Sequence, residues 1–154
     1  MFKVSEIFQH AIQMEIDGER MYRKFAEKLY NKSSAEVFRK LAVEEVAHRA
    51  YFEKIVNKIE DYSDIQRFPD EYFIYIRALA SNIIFSEDKF EKNIEELNDV
   101  KSAVDFAIRR EMDSILYYYQ LKKSVNDKEK QFIDDIIAEE ERHFILLSDL
   151  KKEL

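Results

Sequence analysis

Four long segments of the chain carry apolar residues at alternating steps of three and four, and polar residues interrupt each of these stripes near its middle. Such steps keep side chains on one face of an α-helix, the face that packs in the core of a helix bundle. The segments lie roughly at residues 5–30, 34–61, 99–125 and 127–152. The sequence therefore predicts an all-α fold with four long helices whose inward faces are polar halfway along.

The remaining local signals also favour long helices. Ser5 and Asp99 stand at segment starts, where a side-chain oxygen can accept hydrogen bonds from the free N–H groups of the first turn. Glycine and proline occur once each, as Gly18 and Pro69, whereas β-rich folds use both at many turns. With 154 residues, 46% of them hydrophobic, the chain is expected to form a single domain over residues 1–154.

Residues 62–98 connect the second and third long segments, whereas the other two links are only a few residues long. Short links place helices antiparallel, but a long crossover allows the third long helix to begin at either end of the bundle. Within it, Pro69 opens a short helix to about Phe85, and Ser86 caps another that ends near Leu97. Because the first short helix is apolar on more than one face, it either contacts a second copy in a homodimer or covers one end of the bundle.

The polar interruptions of two stripes have the form Glu-x-x-His, at Glu45 and His48 and again at Glu140 and His143. A spacing of three puts both side chains on one helix face, within reach of a common ion. The motif alone is weak because glutamate is abundant in this chain. It recurs, however, with both glutamates and both histidines 95 positions apart.

The other two stripes repeat a second pattern. Glu15 and Glu111 lie 96 positions apart, and each is followed by a small residue three positions later and by a tyrosine seven positions later. These followers are Gly18 and Tyr22 in the first half, and Ser114 and Tyr118 in the second. A solvated charged face has no reason to repeat both patterns, so the internal repeat favours a metal site.

Charge balance points the same way. Four carboxylates on inward faces would repel one another, and each would cost several kcal/mol if buried unpaired. No lysine or arginine lies on the four stripes, so two divalent cations are expected to compensate the charge, with His48 and His143 as neutral ligands. Oxygen and nitrogen ligands without sulfur suit iron or manganese, and zinc is possible.

The complete motif set resembles that of the ferritin-like di-iron carboxylate proteins, in which two helices supply one glutamate each and two supply Glu-x-x-His. Within that superfamily the chain is most similar to the rubrerythrins, which share the glutamate, small residue and aromatic residue of the first helix. The resemblance covers nearly all of the chain. It implies a ferritin-like four-helix bundle with one crossover connection, holding two iron ions, or manganese or zinc, in its core.

The resemblance also implies a role for each motif residue. Glu15 and Glu111 match the glutamates that bind one ion each. Glu45 and Glu140 match the glutamates that bridge the two ions, and His48 and His143 match the histidines that bind one ion each. Tyr22 and Tyr118 match tyrosines that hydrogen-bond the ligand carboxylates. Ordinary core packing is the alternative interpretation of these two tyrosines.

Two departures from the rubrerythrin pattern bear on activity. Typical rubrerythrins carry an additional glutamate at the position of Ser114, which puts the family's ligand switching and efficient peroxide reduction in doubt here. They also append a small iron-binding domain with four cysteines, whereas this sequence contains no cysteine. Electrons are therefore expected from a separate donor protein.

The resemblance implies an oxidoreductase whose iron pair reacts with dioxygen or hydrogen peroxide, as a peroxidase or a ferroxidase. Two other functions remain open from the sequence: an iron-binding or storage protein without turnover, and a structural metal-binding helical scaffold.

Other acidic and histidine residues near the motifs are interpreted as peripheral. Glu19 has Ile115 at the corresponding position of the second half. Glu44 and Glu139 correspond across the halves but lie about 100° around the helix from the stripes. His10 is likewise turned away from Glu15.

Composition limits the partners and the compartment. A formal net charge of −7 disfavours nucleic acid. The longest apolar stretch, residues 72–85, contains Arg77 and Asn82 and is too short to cross a bilayer of about 30 Å. No secretion signal is expected, because polar residues interrupt the apolar residues near Met1, and the lack of cysteine in the sequence disfavours disulfides and iron–sulfur clusters. A cytoplasmic protein that binds neither nucleic acid nor membranes is expected.

Overall fold

The computed structural model describes residues 4–28, 32–61, 69–83 and 87–154. Within these ranges the chain forms six helices and no strand. The helices are α1 (Val4–Lys28), α2 (Lys32–Asp61), α3 (Asp70–Ile83), α4 (Glu87–Glu96), α5 (Val100–Lys122) and α6 (Asp127–Lys152). The predicted all-α fold is confirmed: α1, α2, α5 and α6 are the four long helices, and α3 and α4 lie in the crossover.

The long helices pack as two hairpins, α1 with α2 and α5 with α6. Tyr22 contacts Glu111, and Tyr118 contacts Glu15, so α1 and α5 run antiparallel. Because α1 is also antiparallel to α2, helices α2 and α5 are parallel. The crossover therefore runs the length of the bundle, which decides between the two topologies that the sequence left open.

The two crossover helices lie near opposite ends of the bundle. In α3, Arg77 pairs with Glu6 at the start of α1, at 2.7 Å. Near α4, the Lys28 ammonium at the end of α1 donates to the backbone oxygen of Glu95 at 2.8 Å. One face of α3 is buried, through Phe73, Ile76, Ala80 and Ile83. The covering role expected for this helix agrees with that burial, and its role in a homodimer stays a prediction.

The buried apolar side chains form two clusters, one in each half of the bundle. Phe8 and Ile133 belong to the first cluster, and Phe38 and Leu147 to the second. Complete burial of such a side chain stabilises the fold by about 1.5–3 kcal/mol. The polar interruptions of the four stripes lie between the clusters, so apolar packing on both sides fixes the helices that carry them.

The helix ends agree only in part with the predicted caps. Asp99 caps α5, since its carboxylate accepts a hydrogen bond from the Ser102 amide at 2.8 Å. The prediction for Ser5 is wrong, because α1 already includes Val4 and Ser5 lies within its first turn. Helix α2 begins at Lys32, two residues before the predicted start. The predicted end at Phe85 and cap at Ser86 lie outside the described residues.

Helix α5 ends at Lys122, three residues before the predicted border at Val125. A short turn follows, and Asn126 caps α6 by accepting from the Glu129 amide at 2.9 Å. No helix in the described part of the chain combines the length and apolarity that a membrane crossing requires.

Candidate metal centre

The six predicted ligands converge halfway along the bundle, although they come from four helices. Each of them is 3% exposed or less. Their ligand atoms form two groups in which all atoms lie within 4.8 Å of one another. The groups are Glu15, Glu45, His48 and Glu140, and Glu45, Glu111, Glu140 and His143. Glu45 and Glu140 belong to both, which is the arrangement that two ions sharing two bridging carboxylates require.

The two imidazoles face the carboxylates through the same ring nitrogen. Nδ1 of His48 lies 2.9 Å from Glu140 and 3.6 Å from Glu15. Nδ1 of His143 lies 3.6 Å from Glu111 and 3.5 Å from Glu140. The rings stack with centroids 5.9 Å apart. Each imidazole therefore presents one nitrogen to its own group of carboxylates.

Several buried polar atoms of the centre have no hydrogen-bond partner among the described residues. They are one oxygen each of Glu15, Glu111 and Glu140, and Nδ1 of His143. A buried polar atom without a partner costs about 1–3 kcal/mol, and more when it is charged. Cations at the two groups would satisfy all four atoms, and the donor set suits iron, manganese or zinc. The residues therefore fit a two-metal centre.

Crowding raises the proton affinity of two of the carboxylates, Glu45 and Glu111. The pKa of Glu140 is lowered instead, because its burial is outweighed by hydrogen bonds with Glu111, His143 and His48. Burial, followed by the charge of Glu15, raises the pKa of Glu45 well above its usual value. Burial and the charge of Glu140 raise the pKa of Glu111 to about 8. Burial alone would lower the pKa of His48, but hydrogen bonds from the ring to Glu140 and Glu15 raise it to about 12. Without metal ions, the centre therefore takes up protons to reduce its negative charge.

The two predicted supporting tyrosines contact ligand carboxylates across the bundle. The Tyr22 hydroxyl on α1 donates to Glu111 on α5, and the Tyr118 hydroxyl on α5 donates to Glu15 on α1. Burial and the adjacent carboxylate raise the pKa of each phenol, so both keep the proton that they donate. The hydrogen-bonding interpretation is therefore favoured over simple core packing.

Gly18 lies where α1 approaches the centre closely. A Cβ atom at this position would lie 2.7 Å from Oε2 of Glu45 and 3.2 Å from Nη2 of Arg110. Both distances are shorter than normal contacts. The missing side chain therefore leaves room for the Glu45 carboxylate and for the Arg110 guanidinium.

Arg110 is a cation near the centre that the apolar stripes of the sequence did not predict. Its guanidinium donates to the backbone oxygen of Met14 at 2.6 Å. Burial would lower the pKa of Arg110, but the charges of Glu45 and Asp17 outweigh burial and raise it. Arg110 lies off the stripe of its own helix, and only its long side chain carries the charge to the centre. The centre therefore carries one permanent positive charge beside its four carboxylates.

The interpretation of Glu44 and Glu139 as peripheral is wrong. A carboxylate oxygen of Glu44 contacts Nε2 of His143, and one of Glu139 contacts Nε2 of His48. Helices α2 and α6 pack antiparallel, and the Nε2 edge of each imidazole lies beside the other helix. Each glutamate therefore contacts the histidine of the opposite helix. Their recurrence across the two halves was the signal that could have identified them.

Two other side chains do lie outside the centre, as predicted. Glu19 pairs with Arg23 at 2.9 Å and with Arg49 at 3.1 Å. His10 is partly buried between α1 and α3, near Arg77.

Two Glu-x-x-His helices and two glutamate helices, joined by one long crossover around a buried carboxylate cluster, define a ferritin-like protein of the diiron-carboxylate class. The family model described as Rubrerythrin matches residues 6–151. The chain therefore belongs to the rubrerythrin family.

A solved structure from Thermotoga maritima, described as a ferritin-like diiron-carboxylate protein, is similar to this chain along almost its whole length. The two share 28% sequence identity with a TM-score of 0.68, over 99% of this chain and 96% of the other. A comparison with curated proteins found no significant match.

Proposed function

We propose that this protein binds two iron ions and uses them to reduce hydrogen peroxide or dioxygen. The observation that carries the proposal is the sharing of Glu45 and Glu140 between two ligand groups. A structural ion needs only one closed set of ligands, whereas two ions held side by side can deliver two electrons to one small oxidant. Membership of the rubrerythrin family supports the same chemistry.

Glu15 and His48 would hold one ion, Glu111 and His143 would hold the other, and Glu45 and Glu140, which belong to both groups, would contribute to both sites. The four carboxylates would balance the charge of two ferrous ions, with both histidines as neutral ligands, and Arg110 would add one positive charge beside them. The Tyr22 hydroxyl bond fixes the orientation of Glu111. The apolar clusters on both sides keep bulk water from the centre.

The ion pair would supply two electrons, one from each ferrous ion, and hydrogen peroxide would take up these electrons and two protons to give two water molecules. The side chains position the ligands and compensate charge. A separate donor protein would return the electrons to the two ions.

The test is anaerobic loading with ferrous iron, followed by rapid mixing with hydrogen peroxide or air-saturated buffer. We expect two iron ions per chain, and ferric absorbance that rises faster than for the same iron free in buffer. One peroxide molecule should be consumed per two iron ions. Glu45→Ala should abolish paired binding, while Glu19→Ala, which removes a glutamate outside the centre, should leave it intact.

Oxidation no faster than in free iron, with two bound ions verified, would refute the redox proposal. Anomalous scattering at the iron and zinc edges from crystals of untreated protein would identify the natural ions. A centre filled by zinc alone would contradict the choice of iron.

A further inference from the structure

A cavity of about 390 Å³ lies between the end of α4 and the middle of α5. The polar part of its lining consists of one amide, two carboxylates and two guanidinium groups: Asn93, Glu96, Asp113, Arg109 and Arg110. The two acidic and two basic charges cancel, so this lining is polar but has no formal net charge. Such a cavity suits a small, uncharged molecule that both donates and accepts hydrogen bonds.

Arg110 connects this cavity with the metal centre. Its side chain lines the cavity, and its Nη2 donates to the backbone oxygen of Met14 on α1 at 2.6 Å. Gly18 follows Met14 by one helical turn. A Cβ atom at Gly18 would lie 3.2 Å from Nη2 of Arg110 and 3.1 Å from Cδ of Glu45. The guanidinium and the Glu45 carboxylate therefore border the same small space, on the side of the bundle formed by α1 and α5.

Other sides of the centre are lined differently. The two apolar clusters cover it along the bundle axis. Between α2 and α6, Glu44 contacts His143 and Glu139 contacts His48, so carboxylates cover the outer edges of both rings. These carboxylates attract cations to the α2–α6 side, whereas Arg110 repels cations at the inner end of the cavity. The cavity therefore favours an uncharged molecule over a metal ion.

We propose that this cavity admits hydrogen peroxide to the metal centre, and that Arg110 is the positioning residue that receives the peroxide there. This route rests on the redox function proposed above. A guanidinium has five N–H donors, so Arg110 can hold the Met14 backbone and still donate to a peroxide oxygen. The carboxylate of Asp113 or Glu96 can accept from the peroxide O–H groups. Dioxygen has no O–H group, so the same lining gives it no comparable hydrogen bonds.

The first experiment narrows the cavity. Leu97 follows α4, lines the cavity and is partly buried, so Leu97→Trp should fill part of the space. With two ferrous ions bound, the rate constant for oxidation by peroxide should be roughly tenfold lower than in the wild type. Ala78→Trp is the matched control, because Ala78 is exposed and lines a different cavity, between α1 and α3. Both variants should bind iron with unchanged stoichiometry and affinity.

The second experiment removes the guanidinium. Arg110→Gln should lower the rate constant for peroxide roughly tenfold but change that for dioxygen by about twofold or less. It should also tighten the binding of ferrous iron, because a positive charge beside the carboxylates is lost. Damage to the fold alone would slow both oxidants and weaken iron binding. Arg110→Lys should recover part of the peroxide rate, and Arg142→Gln, at an exposed arginine on α6, is the matched control.

The third experiment does not depend on turnover. Metal-free crystals soaked in hydrogen peroxide should show two bonded oxygen atoms in the cavity, within hydrogen-bond distance of Arg110. Crystals of metal-free Arg110→Gln should not show them. Peroxide beside Arg110 without iron oxidation in solution would refute the redox function but support Arg110 as a peroxide-binding residue.

Three results would overturn the proposal. They are an unchanged peroxide rate in Leu97→Trp and Arg110→Gln, equal slowing of peroxide and dioxygen in Arg110→Gln, and a cavity that holds only water in the soaked crystals. Rapid oxidation of iron together with any of these results would leave the redox function intact and reject only the route through the cavity.

Discussion

Glu44 and His143 lie 99 positions apart in the sequence, and a carboxylate oxygen of Glu44 contacts Nε2 of the His143 ring. Glu139 and His48 form the corresponding contact in the opposite direction. Each contact leaves Nδ1 of its histidine directed at the carboxylate cluster. The two outer glutamates therefore fix which ring nitrogen is available to a metal ion.

Removal of one outer glutamate should weaken metal binding without removing a ligand. We expect Glu44→Ala to lower the affinity for metal by about 10- to 100-fold, because the His143 ring loses the partner that orients it. Competition with a chelator measures the change. Glu141→Ala, an exposed glutamate on α6, is the control. Unchanged affinity in Glu44→Ala would show that packing alone orients the ring.

The tyrosine hydroxyls should matter for metal binding more than for folding. We expect Tyr22→Phe to lower the metal affinity at least tenfold, since Glu111 loses the donor that holds it. Tyr117→Phe is the matched control, because its buried hydroxyl donates to the Ile7 backbone oxygen at 2.8 Å. The control should cost about 1 kcal/mol of unfolding free energy and leave metal affinity unchanged. Equal metal affinities in the two variants would contradict this role for Tyr22.

Replacement of Gly18 by alanine should weaken metal binding but leave the stability of the fold nearly unchanged. Alanine favours a helix over glycine by about 1 kcal/mol, which offsets strain in the metal-free protein. The new Cβ would lie 2.7 Å from Oε2 of Glu45, so that carboxylate must move. We expect Gly18→Ala to bind metal more weakly, with unfolding free energy within about 1 kcal/mol of wild type. Ser114→Ala, at the corresponding step of α5, should retain metal affinity. Chelator competition and denaturant unfolding provide the two measurements.

The metal-free protein should lose stability as the pH rises from about 5 to 8. The pKa of Glu111 is raised from 4.5 to about 8, so the folded chain keeps a proton that the unfolded chain has released in this range. The free energy of unfolding must then fall with increasing pH. The raised pKa of His48 acts in the same direction. Denaturant unfolding at several pH values measures the slope.

Glu111→Gln, which stays neutral, should flatten this slope. Metal affinity should change in the opposite sense, rising with pH over the same range, because ligands must lose protons to bind a cation. Metal-free stability that is constant or rises with pH would contradict the charge crowding described for the centre.

The helices and the six converging residues could be predicted because their signals are local. Alternating steps of three and four identify which side of a helix faces inward, and the Glu-x-x-His repeat places Glu45 and His48 on that side. Burial of an acid requires compensation of its charge wherever the helix lies in the fold. These facts depend only on helix geometry and on the cost of removing charge from water.

The tertiary structure decided which residues meet across helices. Three features depend on the crossing angles and axial offsets of the helices. Helices α2 and α5 run parallel, the Arg110 side chain extends toward Glu45, and Glu44 and Glu139 contact histidines on the opposite helices. Packing of side chains from distant parts of the chain sets those quantities. The periodicity of one helix gives the direction of a side chain, whereas its partner is determined by the helix packed against it.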